Sequence, residues 1–284
     1  MQLTGSGTVI TLTSSTAGVL LGRRTPAGVG SAGVGSPALD MLARDGSLTS
    51  VPLSYPPGYA AEAVWSGVDI HNGQILALGG ARGGAHGNVR WTVWRGTLSG
   101  VSEEPQAFET FGGWLAGTMV GVAQPEGGMP LLVGTWSDAR RRGFDITLWH
   151  PDGSRWVRAE PTATALAGSP TDLPSPEQVA TAGSSVVIAG WSTDLSAGVR
   201  TIPVVWVMDA DGTWRREELT APDAQTMALG VGCGADRCLV VGQSRTSLLA
   251  WWLRPAHPFS LTGNPSSWCS PGAGGSGTSA CHRR

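Results

Sequence analysis

The sequence contains no lysine, so all 19 of its basic residues are arginines. We interpret this absence mainly as codon bias in a GC-rich genome, and a preference for guanidinium chemistry is the alternative. With a formal net charge of −2, the chain has no overall positive field, so nucleic-acid binding is not expected. It also lacks an apolar run of about 18 residues, so no membrane span is predicted.

Phenylalanine and tyrosine are scarce, with 4 and 2 residues, whereas tryptophan occurs 13 times. This imbalance indicates one packing device used repeatedly. The 42 glycines and 19 prolines favour a fold with many turns and short strands over one with long helices. An apolar content of 41% is ample for a hydrophobic core. The five histidines are scattered, so we expect no metal site. The glycine-rich stretch 79–87 lacks the Lys-Ser/Thr of a phosphate-binding loop, and we expect no cofactor.

Cysteine is also rare, and the four residues fall into two local pairs. Cys233 and Cys238 flank a tight-turn composition, which predicts a disulfide across a hairpin. Cys269 and Cys281 form the remaining pair in a Gly/Ser-rich tail. Paired cysteines favour an extracellular or cell-surface protein, although a cytoplasmic protein with reduced thiols stays open. The first residues lack the features of a signal peptide, so the extracellular interpretation requires a leader outside this numbering.

One stretch, Glu177–Leu219, serves as a template for the rest of the chain. Its inner runs, Val186–Gly190 and Val204–Met208, are rich in β-branched residues and too short for helices, as is typical of strands covered on both faces. The flanking runs around Val179 and Trp214 mix polar and apolar residues. Four such runs in roughly 45 residues predict one antiparallel sheet, the size of a propeller blade.

The same arrangement recurs along the chain. The glycine that ends the second run recurs at steps of 57, 55, 56 and 52 residues: Gly22, Gly79, Gly134, Gly190 and Gly242. An aromatic residue in the third run keeps the same period, with Leu42 in its place in the first unit: Trp94, Trp149, Trp206 and Trp252. One small sheet cannot cover both of its apolar faces, so the units must stack side by side.

The sequence therefore predicts an all-β, five-bladed β-propeller of four-stranded antiparallel blades, followed by a tail. The propeller spans residues 1–262 and the Gly/Ser-rich tail spans 263–284, with blades at about 5–53, 60–110, 114–160, 177–220 and 226–262. We interpret the proline-rich segment 161–176 as a loop between the third and fourth blades.

Segments of the third and fourth units resemble the Asp-box turn of sialidase-like β-propellers. Asp211, Gly212, Thr213 and Trp214 match the pattern Ser-x-Asp-x-Gly-x-Thr-Trp, but one residue is missing between Gly212 and Thr213, and the leading Ser is absent. The resemblance implies the architecture, and it identifies no single family.

The loops that join the second and third strands of each blade are expected to emerge on one face of the ring, where recognition usually occurs. Each of these loops carries arginine, which binds carboxylate, sulfate or phosphate groups through two parallel hydrogen bonds. The alternative is that these arginines are simply solvated. The candidate ligand-binding residues are Arg23, Arg82, Arg140, Arg141, Arg200 and Arg245.

Catalytic candidates are weaker. Asp138 and Asp194 occupy matching loop positions, and a carboxylate pair suits glycoside hydrolysis, but such residues more often cap turns. The sialidase-like resemblance implies a Tyr nucleophile supported by Glu, for which Tyr59 and Glu62 are the candidates. Sialidases, however, have six blades.

From these features we expect a non-enzymatic binding module that uses the arginine-bearing face for an anionic glycan or a protein partner. The chain is expected to be a monomer or a component of an assembly. A propeller-type glycoside hydrolase or lyase is the first alternative, and a purely structural component of a larger assembly is the second.

Overall fold

The computed structural model describes residues 7–26, 35–83, 87–112, 116–138, 143–159, 164–234 and 237–255. It is a five-bladed β-propeller and almost entirely β-structure, which confirms the predicted fold class. Within the described residues the helices are one turn of α-helix and two short 3-10 turns: α1 Phe108–Phe111, Tyr59–Glu62 and Thr164–Leu166. No helix in these ranges has the length and apolar content needed to cross a bilayer.

Each blade is an antiparallel sheet whose strands follow chain order from the central axis outward. Blade 1 contains β1 Thr8–Ser14, β2 Gly18–Arg24, β3 Pro37–Ala43 and β4 Leu48–Val51. Blade 2 contains β6 Val64–His71, β7 Gln74–Arg82, β8 Val89–Thr97 and β9 Gly100–Glu104, and β5 Leu53–Ser54 adds a short parallel strand beside β9.

The remaining blades repeat this order. Blade 3 contains β10 Ala116–Ala123, β11 Leu131–Asp138, β12 Gly143–Asp152 and β13 Arg155–Arg158. Blade 4 contains β14 Asp172–Ala182, β15 Ser185–Asp194, β16 Arg200–Met208 and β17 Trp214–Glu218. Blade 5 contains β18 Met227–Cys233, β19 Cys238–Gln243 and β20 Leu248–Leu253. The fourth strand predicted for blade 5, the tail and the pair Cys269 and Cys281 lie outside the described residues.

A β-bulge interrupts the innermost strand of every blade and gives a common reference point. Two residues beyond it in blades 2, 3 and 4, the third strand carries a tryptophan: Trp94, Trp149 and Trp206. Each of these side chains is fully buried against the preceding blade. The sequence repeat therefore reflects one packing contact between neighbouring blades.

In blade 5 the register corrects the sequence-based assignment by one residue. Trp251, not Trp252, pairs with Val240 at the equivalent position and is buried against blade 4. Successive residues of a strand point to opposite faces, so Trp252 lies on the other face of the sheet and is 52% exposed. Adjacent tryptophans are indistinguishable by period alone.

Blade 1 departs further from the repeat, and the assignment of Leu42 was wrong. Counted from the bulge at Ile10, the tryptophan position in β3 is Asp40, which pairs with Leu21 in the register. Asp40 is 1% exposed, forms an ion pair with Arg23, and accepts a hydrogen bond from Ser50 Oγ at 2.7 Å. A buried ion pair thus replaces the tryptophan at the face that points toward blade 5.

The proline-rich segment is not wholly a loop, because β14 begins at Asp172 and includes Pro174 and Pro176. An innermost strand has one edge without a partner strand, and proline is tolerated where its missing N–H faces such an edge. Two prolines spaced two residues apart present their nitrogens to the same edge. The proline spacing is therefore compatible with an innermost strand.

The predicted tight turns between the third and fourth strands are present. The glycines of three Asp-Gly pairs have positive φ, namely Gly46 at 87°, Gly153 at 60° and Gly212 at 84°, a conformation that glycine adopts without steric cost. The predicted disulfide Cys233–Cys238 is also present, across the β18–β19 turn, with a Cα–Cα distance of 4.0 Å.

Candidate functional site

A cleft of about 430 Å³ lies between blades 1 and 2, on the face where the loops between second and third strands emerge. We call it the blade 1–2 cleft. It brings together two arginines, one glutamate and one serine beside a tryptophan: Arg24, Arg82, Glu62, Ser66 and Trp91. Among the lining residues that the structure describes, the charged and hydroxyl groups are thus two guanidiniums, one carboxylate and one hydroxyl.

Local structure explains how these side chains reach the cleft. Arg24 and Arg82 end the equivalent strands β2 and β7. The 3-10 turn Tyr59–Glu62 anchors itself through buried Ala60 and leaves Glu62 exposed. Gly80 makes room for the indole of Trp91, since an added Cβ would lie 2.8 Å from its Cε3 atom.

Tyr59, in the same turn as Glu62, lies beside the cleft. Its ring packs on Gly83, where an added Cβ would lie 2.4 Å from the Cε1 atom of Tyr59. The guanidinium carbon of Arg90 lies 5.6 Å from the centroid of the Tyr59 ring and 3.8 Å from that of Phe108. Tyr59 therefore belongs to a cation–π stack next to the cleft, with 40% of its surface exposed.

The remaining predicted ligand residues do not converge on the blade 1–2 cleft. Arg23 lies against the buried Asp40. Arg200 and Arg245 line a separate cleft of about 450 Å³ on the same face, between blades 4 and 5. Arg140 and Arg141 lie outside the described residues. The sequence predicted arginines on one face of the ring. It did not show that those the structure describes lie in different places, one in the blade 1–2 cleft, one against Asp40 and two between blades 4 and 5.

The two predicted aspartates have different outcomes. Asp194 accepts a hydrogen bond from the Ser196 backbone N–H at 2.8 Å and from Arg200 Nε at 2.7 Å. Hydrogen bonds from Ser196 and the pairing with Arg200 lower the pKa of Asp194 to about 2, so this carboxylate stays charged near neutral pH. Asp138 ends β11, and its side chain lies outside the described part of the chain.

A larger cavity, of about 530 Å³, follows the central axis from Ser66, which also lines the blade 1–2 cleft, toward the turns between first and second strands. We call it the axial cavity. The ends of the innermost strands line it, and Asp69 is the carboxylate among its lining residues. Arg237 and Trp252 lie at its blade 5 side. Sequence reasoning overlooked this site, although a charged residue in the otherwise apolar run Val68-Asp69-Ile70 is a usable signal.

Asp69 connects the innermost strands of four blades. Its Oδ2 atom accepts hydrogen bonds from Thr181 Oγ1 and from the Gln124 backbone N–H, both at 2.8 Å. Its Oδ1 atom accepts from the Ile70 N–H at 2.9 Å and from Thr13 Oγ1 at 3.4 Å. Burial raises the pKa of Asp69, and the hydrogen bonds from Thr181, Gln124 and Ile70 oppose that rise.

No family model and no curated protein sequence matches the chain. Solved structures of similar fold include a mannose phosphorylase from Leishmania mexicana, at 12% identity and a TM-score of 0.44, over 90% of this chain and 85% of that one. A sucrose-6-phosphate hydrolase from Lactobacillus gasseri has 10% identity and a TM-score of 0.47, over 86% and 61%. A polysaccharide lyase has 10% identity and a TM-score of 0.45, over 93% and 68%.

These comparisons correct the functional expectation. The three structures named above are carbohydrate-acting enzymes, and by that comparison the expectation of a non-enzymatic binding module was wrong, as was the expectation that the chain is not an enzyme. The propeller-type hydrolase or lyase, named above as the first alternative, agrees better with them. At these identities and TM-scores the likeness shows the fold alone, and the reaction has to be argued from the site.

Proposed function

We propose that the chain is a carbohydrate-active enzyme that cleaves an acidic glycan in the blade 1–2 cleft, by β-elimination at a uronic acid. The observation that carries this proposal is the presence of Arg24, Arg82 and Glu62 in one cleft. Among the residues that the structure describes, neither Arg82 nor Glu62 has an ion-pair partner. Both side chains are therefore available to a substrate.

The two arginines supply what elimination needs first. A uronic acid carboxylate must be neutralised before the proton on the adjacent carbon becomes acidic enough to remove. Guanidinium groups bind carboxylates through paired hydrogen bonds, and Arg24 and Arg82 approach the cleft from adjacent blades. Fixed positive charge beside the developing enolate stabilises the transition state.

Glu62 supplies the base. It takes the C5 proton of the uronic acid, the electron pair forms the C4=C5 double bond, and the C4–O4 bond breaks. The leaving oxygen takes a proton from water in the open cleft. No oxidant, reductant or cofactor is needed. Glycoside hydrolysis ordinarily uses two carboxylates, whereas Glu62 is the carboxylate among the lining residues described, so elimination fits this cleft better.

Hydrolysis of a sialoside is the second candidate, because Tyr59 lies three residues before Glu62 in the same 3-10 turn. In that reaction the arginines would hold the sialic acid carboxylate and Tyr59 would act as the nucleophile. Tyr59 packs against Gly83 and Arg90, beside the cleft and not among its lining residues. The geometry therefore supports sialoside hydrolysis less directly than elimination.

The experiment incubates the full chain with polygalacturonate, alginate, hyaluronan and sialyllactose. Elimination yields an unsaturated uronate with ultraviolet absorbance, whereas hydrolysis releases reducing ends or sialic acid without it. We expect Glu62→Gln to lower kcat/KM by roughly 100- to 10,000-fold, the range of general-base contributions, and Arg82→Ala to lower it by about 100-fold or more.

Arg155→Ala is the matched control, because Arg155 is an exposed arginine on blade 3, away from the cleft. Wild-type levels of unsaturated product from Glu62→Gln would contradict the assignment of the base. Absence of unsaturated product from every uronate polymer would overturn the proposed reaction, and release of sialic acid would favour the second candidate.

We further propose an extracellular or cell-surface location, with an acidic glycan as the partner. The support is the disulfide Cys233–Cys238, since disulfides persist mainly in oxidising compartments. Thiol labelling of the protein isolated from its native cells tests this location. Two reactive thiols at these positions in freshly isolated protein would contradict it.

A further inference from the structure

The axial cavity has a wall that differs from the rest of the propeller interior. Trp252 is 52% exposed and lines this cavity, whereas the tryptophans at the repeated position are buried between blades. The wall therefore offers an indole surface to a ligand. The proposed elimination does not use it, because Arg24, Arg82 and Glu62 line the blade 1–2 cleft and none of them lines the axial cavity.

A short, cross-linked turn places a charged group beside this indole. Cys233 and Cys238 close the β18–β19 turn, and the Gly234 N–H donates to the Arg237 carbonyl at 2.8 Å. The guanidinium carbon of Arg237 lies 5.4 Å from the centroid of the Trp252 ring. The disulfide thus limits the freedom of the backbone that carries Arg237, so that Arg237 and Trp252 form one preorganised edge of the cavity.

Polar groups face this edge from the neighbouring blades. Thr13, His71 and Thr181 line the cavity with Asp69. Both oxygens of Asp69 already accept hydrogen bonds from groups within the blades, so the carboxylate needs no cation to balance its desolvation. Thr181 Oγ1 donates to Asp69 and accepts from the Gln124 N–H, so it is already engaged. The Thr13 hydroxyl, whose proton goes to Asp69, can still accept, and His71, whose Nε2 contacts Asn72, keeps its other ring nitrogen for a ligand.

We propose that the axial cavity is a second glycan-binding site, which takes a neutral mono- or disaccharide stacked on Trp252. A sugar ring has an apolar face of C–H groups that suits an aromatic surface, and a rim of hydroxyls that suits the polar groups opposite. The volume of about 530 Å³ falls within the range of roughly 300–1,000 Å³ found for small-molecule sites. The inference is independent of the elimination reaction.

The test titrates the full chain with cellobiose, maltose and N-acetylglucosamine, followed by tryptophan fluorescence and saturation-transfer NMR. At least one of these neutral sugars is expected to bind. Trp252→Ala is expected to weaken binding by about tenfold or more, equivalent to roughly 1.4 kcal/mol, and Arg237→Ala to weaken it less. Trp252→Phe, which keeps an aromatic face, is expected to retain most of the affinity.

Trp91→Ala is the control, since it removes a tryptophan from the other cleft and leaves the axial cavity intact. Because Trp252 is half-exposed, its replacement is expected to leave folding unchanged, and thermal unfolding of each variant verifies this. Absence of binding by all three sugars, or binding that Trp252→Ala leaves unchanged, would overturn the proposal. Since the probes carry no carboxylate and Glu62→Gln is expected to bind them normally, failure here is distinguishable from failure of the proposed reaction.

Discussion

The interface between blades 2 and 3 and the one between blades 5 and 1 use equivalent positions in opposite ways. On the side of blade 2 that faces blade 3, Leu78 is fully buried. It lies in one hydrophobic cluster with the buried Trp149 of blade 3. At the position of Leu78, blade 5 has Val241, which is 45% exposed. At the position of Trp149, blade 1 has Asp40. We call the blade 5–blade 1 interface the seam.

This difference shows that the sequence repeat gives a buried apolar contact only where one blade has the aliphatic residue and the next blade has the tryptophan. Between blades 2 and 3 the tryptophan is shielded by aliphatic residues of the preceding sheet, so burial of apolar surface stabilises the contact. At the seam the face of blade 5 keeps Val241, Leu248 and Trp252 more than 40% exposed, and blade 1 presents an ion pair. Mutations on the two sides of this comparison should therefore have different effects.

The largest effect is expected from a matched pair of tryptophan truncations. Trp149→Ala removes a fully buried indole and the hydrogen bond from its Nε1 to the Thr110 carbonyl at 2.7 Å, so we expect a loss of about 3–5 kcal/mol in the free energy of unfolding. Trp252→Ala at the seam is expected to cost under about 1 kcal/mol. Urea unfolding measures both, and equal losses would remove the distinction between the interfaces.

A slightly smaller effect is expected from Arg23→Ala, which tests what replaces the tryptophan at the seam. The change leaves the Asp40 carboxylate buried without its cation, and we expect a loss of about 3 kcal/mol. The double variant Arg23→Met with Asp40→Leu is expected to recover much of it, because it removes both charges. Arg155→Ala, at an exposed arginine, is the control. If Arg23→Ala lowered the free energy of unfolding as little as this control does, the ion pair would contribute little to stability.

Asp69→Ala tests the hydrogen bonds that connect blades 1 to 4 near the axis. It leaves the Thr181 hydroxyl without its acceptor, at a cost of roughly 1–3 kcal/mol if that hydroxyl stays buried and unsatisfied, whereas the Gln124 N–H loses one of two acceptors and keeps Thr181 Oγ1 at 3.0 Å. Thr181→Val removes one donor and keeps the acceptor, so it is expected to cost less. Equal effects from both variants would contradict a central role for the carboxylate.

The pKa of Asp69 gives the same site a pH signature. Burial raises this pKa in the folded chain, so the folded state binds the proton more tightly than the unfolded state does. Between the ordinary pKa near 3.9 and the raised value, the contribution of Asp69 to stability therefore falls as pH rises. Asp69→Asn is expected to flatten that fall in urea unfolding measured from about pH 4 upward, and an unchanged slope would contradict the raised pKa.

The smallest effect is expected from a matched pair of valines. Val93→Thr buries a hydroxyl in the blade 2–blade 3 interface and is expected to cost about 1–3 kcal/mol. Val241→Thr places the same hydroxyl on the exposed face at the seam, where we expect a change within about 0.5 kcal/mol. A large loss from Val241→Thr would show that this face is covered in solution.

Part of the candidate site was accessible from sequence. The face on which Arg82 lies followed from the sequence, because the loops that come after equivalent strands emerge together. That Arg82 shares a cleft with Arg24 and Glu62, while Arg200 pairs with Asp194, was not predictable from spacing. The first grouping joins residues from different loops, and the second depends on the register of β15 and β16, in which Asp194 pairs with Arg200. Neither contact follows from the period of the repeat.

The sequence by itself determined the number of blades, the three turns formed by Asp-Gly pairs and the Cys233–Cys238 bridge. These features depend on local chemistry repeated along the chain: glycine at positive φ, β-branched runs of strand length, and two cysteines across a hairpin. Only the tertiary structure decided that Trp251 faces blade 4, that Asp40 stands at the tryptophan position of blade 1, and that Asp69 joins four blades. A one-residue shift reverses the face of every side chain in a strand, and only the paired register of neighbouring strands fixes that shift.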